Sequence, residues 1–172
     1  MSIEYKVGMF CGVFFGIFLV AILIRLMRKD RSLKGKYDER QEIVRGRAYK
    51  IGFYVLLIGI AAEIFLNNFI SSYISSIILN FTVLCIGVLS YACYCIWNEA
   101  YFALNDNPKR FLIISAFIGI FNIGSGLVAI AHEEVVLTDP FPTGITNLLC
   151  GFLFIVIFIT LIAKQVVKKQ EE

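Results

Sequence analysis

The chain is short of the residues on which most enzyme and metal chemistry is built: it has one histidine, one tryptophan and three prolines. With a single histidine there is no His-Glu-x-x-His stretch and no second imidazole for a metal centre. His132-Glu133-Glu134 offers ligand-type side chains, but consecutive helical positions point about 100° apart and cannot converge on one ion. No glycine-rich phosphate loop, Gly-x-Ser-x-Gly elbow or pairable Ser-His-Asp set is present, so nothing here assigns an enzyme, a metal or a cofactor. The prolines, Pro108, Pro140 and Pro142, all fall in predicted loops. None breaks a helix in the manner of many secondary-transporter sites. Five cysteines, Cys11, Cys85, Cys93, Cys95 and Cys150, include no Cys-x-x-Cys pair and lie inside apolar stretches, where small buried thiols are expected rather than redox centres.

Apolar sequence dominates what is present. Hydrophobic residues make up 59% of the 172, and mean hydropathy is +0.80. Five stretches, at 7–27, 51–70, 77–97, 111–131 and 144–163, are each close to the roughly 20 residues that cross a hydrocarbon core as a helix. The expected fold is all-α: one polytopic transmembrane domain of five helices over 1–172, with the lipid bilayer as its solvent. The basic residues cluster after the first stretch, with Lys6 alone before it, and no Ala-x-Ala-like cleavage site is present, so it reads as a retained helix rather than a signal peptide.

The basic residues set the expected orientation. The loop 28–50 and its margins hold Arg25, Arg28, Lys29, Arg31, Lys34, Lys36, Arg40, Arg45, Arg47 and Lys50. Lys109 and Arg110, then Lys164, Lys168 and Lys169, fall on the same side if five spans are threaded. That places 15 of the 16 basic residues on one side and leaves Lys6 on the other. The positive-inside rule then predicts an external N-terminus and a cytoplasmic C-terminus. The net charge of +3 is a sum over two unlike faces and points to no nucleic-acid partner.

Small residues recur at helical spacing. Gly8, Gly12 and Gly16 line one face of the first span, and Ser115, Gly119, Asn122 and Gly126 one face of the fourth; both predict close helix approach. Gly52 and Gly59 mark the second span. Glu63 is the one ionisable side chain well inside a span, with Asn67 one turn further along the same face. Asn80, Tyr91 and Asn122 are candidate hydrogen-bond donors to it from other spans. An intramembrane carboxylate either joins helices as a protonated group or serves a proton or cation site.

Residues 37–50 read as a helical extension of the second span. Asp38 is positioned as an N-cap, with Gln41 reaching back from the third helical position, and Glu39 and Glu42 suit the first turn. A helix starting near residue 39 would run on the order of 18 Å beyond the apolar stretch at 1.5 Å per residue, with Gly46 its weak point. The run Tyr37-Asp38-Glu39-Arg40-Gln41, followed by Arg45-Gly46-x-Ala48-Tyr49-Lys50-x-Gly52-Phe53 and by Trp97-Asn98-Glu99-Ala100-Tyr101-Phe102, resembles a group of small Gram-positive bacterial membrane proteins with a juxtamembrane Asp-Glu-Arg-Gln motif. The resemblance implies a bacterial plasma membrane and no established activity. It draws interest to Asp38, Glu39, Arg40, Gln41, Arg45 and Glu99 as a polar cluster where the two motifs meet.

Packing signals without visible chemistry predict a nonenzymatic membrane protein that acts by association, as an accessory or regulatory subunit or as a self-assembling homo-oligomer. The alternative is a small transporter, channel or ligand-binding membrane protein that uses Glu63.

Overall fold

The structure is a computed structural model that describes residues 36–71, 73–104, 106–132, 137 and 143–171, together with Phe18 and Ile22. The predicted span 7–27, and with it the Gly8, Gly12 and Gly16 face, lies otherwise outside the described residues. Residues 37–172 form one compact unit of four helices. These are α1 (Glu39–Ile70), α2 (Ser76–Trp97), α3 (Pro108–His132) and α4 (Thr143–Glu171). All four are long and apolar enough to cross a membrane.

α1 is a single 32-residue helix, and its start follows from local chemistry. Asp38 Oδ1 accepts from the Gln41 backbone N–H at 2.6 Å, while Gln41 Oε1 accepts from the Asp38 N–H at 3.3 Å, a reciprocal capping box. The helix runs through Gly46 and past the apolar boundary without interruption. The Ser75 hydroxyl caps α2 by accepting from the Ile77 N–H. Pro108 opens α3 behind Asn107, whose side chain accepts from the Lys109 N–H at 3.1 Å. Proline suits that first position because the missing N–H would have had no helical partner there. α4 begins at Thr143, and it extends past the predicted end near residue 163 to Glu171 as a polar helical tail.

α1 packs on α2, α2 on α4, and α4 on α3; among the described residues α1 packs on neither α3 nor α4. The α1–α2 contact is a continuous antiparallel seam. Ser76, Asn80, Val83, Gly87 and Tyr91 face Asn67, Glu63, Gly59, Leu56 and Gly52, a row of three- and four-residue steps on each helix. Bumps meet hollows along it: a Cβ on Gly59 would lie 2.6 Å from Val83, and one on Gly87 2.5 Å from Leu56. α3 and α4 close equally tightly. A Cβ on Gly126 would come within 2.9 Å of the Gly144 carbonyl oxygen, and one on Gly119 within 2.9 Å of Ile155. The predicted glycine stripe of α3 is thus buried against α4. Cys85, Ala92 and Ile96 of α2 meet Leu153, Ile157 and Leu161 of α4 in the central apolar core.

Candidate functional site

Two polar assemblies stand out, one at each end of the α1–α2 seam. The first joins the two sequence motifs. Gln41 is only 7% exposed, and its amide Nε2 donates to the Glu99 carbonyl at 2.9 Å and to the Phe102 carbonyl at 3.2 Å. One side chain therefore completes the cap of α1 and ties down the segment that follows α2.

That segment has an unusual backbone. α2 ends with the Ala100 N–H on the Cys95 carbonyl at 2.8 Å and the Glu99 N–H on the Ile96 carbonyl at 3.2 Å. This is the Schellman pattern, which places Glu99 in the left-handed region at φ 57°. Glycine is the residue that takes this conformation without strain; a side chain there costs about 1–2 kcal/mol. The Glu99 side chain has a use that glycine could not supply. Its Oε1 lies 3.5 Å from Lys164 Nζ and 3.8 Å from Lys168 Nζ, one turn apart on α4. Lys164 also lies 6.0 Å from the centroid of the Trp97 ring.

Behind Glu99, Ala100 and Ala103 are buried, and Tyr101, Phe102 and Phe111 form a mutual edge-to-face cluster with centroids 5.1 to 5.5 Å apart. Burial pushes the Tyr101 phenol above its ordinary pKa. In front lies a half-open cavity of about 280 Å³, walled by Ile96, Phe102 and Leu161 and rimmed by Glu99, Lys164 and Lys168.

Of the residues expected in this cluster, Asp38, Gln41 and Glu99 come together. Glu39 and Arg40 are exposed on the first turn of α1. Arg45 turns elsewhere, with its guanidinium carbon 3.9 Å from the Tyr37 ring centroid. Phe102, which ends the second motif, joins Asp38, Gln41 and Glu99, and Lys164 and Lys168 complete the site without having been singled out as site residues by sequence; their signal was a lysine pair at i, i+4 beyond the apolar end of the last span.

The second assembly lies toward the other end of the seam. Asn80 Nδ2 donates to Glu63 Oε1 at 2.9 Å and to the Ser76 carbonyl at 2.9 Å, and the Ser76 hydroxyl is 3.0 Å from Asn67 Oδ1. Glu63, Asn67 and Asn80 are thus brought together as expected. Asn122 is not. It lies on α3, which does not pack on α1, and its Nδ2 donates to the Ile118 carbonyl of its own helix at 2.8 Å. Glu63 and Asn67 are partly exposed and Asn80 is exposed. Among the described residues no group of His, Cys, Asp and Glu side chains could hold a metal ion, and the four described cysteines are free thiols.

No protein-family model matches the chain, and no curated protein or solved structure matches it.

Proposed function

We propose that the protein is a multi-pass membrane protein that works by association, as an accessory subunit of a membrane complex or as a self-assembling unit. It would have five spans, an external N-terminus and a cytoplasmic C-terminus in a bacterial plasma membrane. The division of basic residues supports that orientation, and the likeness around Asp38-Glu39-Arg40-Gln41 supports the bacterial setting.

The observation that carries the association is the Glu63–Asn80 pair. Four helices with apolar surfaces need only lipid to cover them, but hydrocarbon cannot hydrogen-bond the polar edge that Asn80 and Glu63 present. A helix from another copy or another protein would cover that edge and could offer further polar contacts to it. A photo-crosslinking residue at Leu84, exposed and one turn from Asn80, should capture protein in native membranes. The same residue at Phe117, exposed on α3, should capture lipid. Lipid adducts alone at both positions would contradict the association.

The same pair favours a second reading, a proton or cation pathway along Glu63, because a partly exposed carboxylate in a span can take on charge where water reaches it. In reconstituted vesicles, a pH- or cation-dependent flux present in wild type and abolished by Glu63→Gln would establish that reading. Absence of flux, with Glu63→Gln stable and Glu63→Leu unstable, leaves the carboxyl as a joint between helices.

A further inference from the structure

We propose that the cavity between Glu99, Lys164 and Lys168 binds the phosphate headgroup of an anionic membrane phospholipid. This rests on the membrane reading alone and is independent of the association proposed above.

The charge balance of the rim is the first observation. Two ammonium groups share one carboxylate oxygen, at 3.5 and 3.8 Å. Both distances exceed the roughly 2.7–2.9 Å of a charge-assisted N–H···O hydrogen bond. Glu99 therefore gathers the two lysines without saturating them. One positive charge is left over at the rim, and N–H donors on both lysines remain available to a further anion. A phosphate has oxygens enough to bridge two ammonium groups one helical turn apart.

The shape and setting of the cavity decide for an amphiphile. Its volume of about 280 Å³ lies just below the roughly 300 Å³ at which small-molecule pockets begin, which suits a headgroup better than a larger solute. Its inner wall is apolar, from Ile96, Phe102 and Leu161, and it lies where the apolar stretches of α2 and α4 give way to polar sequence. Trp97, at the end of α2 and more than half exposed, is the type of side chain that sits at the headgroup level. A lipid can place its phosphate on the lysines while its glycerol and first methylenes lie against the apolar wall. A free phosphate gains nothing from that wall.

The rim is also held in place. Gln41 ties the Glu99 and Phe102 carbonyls to the start of α1, and the left-handed backbone at Glu99 directs its side chain toward α4. The strained residue thus aims its carboxylate at the lysine pair, in line with the tendency of backbone strain to collect at working sites.

Trp97 is the only tryptophan of the chain and is 6.0 Å from Lys164, so it reports on the site directly. The full chain is placed in nanodiscs of phosphatidylcholine with increasing fractions of phosphatidylglycerol, and one lipid at a time carries brominated acyl chains that quench Trp97. Wild type is expected to show a severalfold preference for phosphatidylglycerol. Lys164→Gln with Lys168→Gln should bring the preference to unity. Glu99→Gln should raise it by removing the competing carboxylate. Should the double glutamine variant fold poorly, Lys164→Arg with Lys168→Arg keeps both charges and should retain the preference. Equal quenching by the two lipids in wild type, or the same preference in wild type and the double glutamine variant, would overturn the proposal. So would loss of the preference on adding millimolar inorganic phosphate, which would assign the site to a free anion.

Discussion

At the residue scale, Gln41 shows how much of the junction the sequence discloses. Its capping role is legible from the Asp-x-x-Gln spacing alone, because both partners lie within one turn. Its reach to the Glu99 and Phe102 carbonyls is not, since those acceptors lie 58 and 61 residues away. The two roles separate experimentally. Glutamate is an accepted residue at the third helical position of a capping box, so the cap alone predicts that Gln41→Glu is harmless. The long-range bonds predict the reverse, because a carboxylate would set an acceptor against two carbonyl oxygens. Gln41→Glu and Gln41→Ala should each lower unfolding stability in detergent by about 1–3 kcal/mol, the cost of leaving buried acceptors unmatched. A neutral Gln41→Glu would show that the junction is held by the cap only. Glu99 is the opposite case: its left-handed backbone is a position where glycine is ordinary, and nothing in Trp97-Asn98-Glu99-Ala100 announces it.

At the scale of elements, helix identity and most ends follow from apolar length and caps, while helix neighbours do not. In a membrane the surface that meets lipid and the surface that meets another helix are equally apolar, so hydropathy cannot rank the pairs. The small residues do carry that information. Gly119 and Gly126 on α3 meet Ile155, Gly144 and Leu148 on α4, as a glycine stripe predicts. The error over Asn122 follows from the same gap: it has the right chemistry for Glu63 on a helix that is not a neighbour of α1. Glycines with different surroundings should then respond with opposite sign to one substitution. Gly46 has nothing within 4 Å of a Cβ position, whereas a Cβ on Gly151 would meet the Ile123 backbone nitrogen at 2.9 Å and the Gly119 carbonyl oxygen at 3.0 Å. Gly46→Ala should stabilise by about 0.5–1 kcal/mol through helix propensity. Gly151→Ala should destabilise by about 1–3 kcal/mol, because backbone atoms cannot make room cheaply. Thermal unfolding of both variants in one detergent checks the pair; a gain in stability from Gly151→Ala would show that the α3–α4 contact is looser than described, and a loss from Gly46→Ala that the Gly46 face is covered.

At the scale of the whole molecule, the four helices alternate in direction. The polar start of α1, the end of α2, the start of α3 and the polar tail of α4 therefore lie at one end, and the end of α1, the start of α2, the end of α3 and the start of α4 lie at the other. At that second end the Ser75 N–H donates to the Leu137 carbonyl at 2.7 Å. Arg40, Arg45, Arg47 and Lys50, Lys109 and Arg110, and Lys164, Lys168 and Lys169 thus share the end that carries Gln41 and Glu99. The account as a whole depends on that end facing the cytoplasm and the other facing out across a bilayer. The direct measurement is sided labelling in intact cells of a chain whose native cysteines are replaced by alanine, with one cysteine introduced at Leu104 or at Leu137. Leu104→Cys should react with a membrane-impermeant thiol reagent only after the cells are opened, and Leu137→Cys should react from outside. Labelling of both positions from the same side would contradict the crossing of α3, and with it the membrane architecture proposed here.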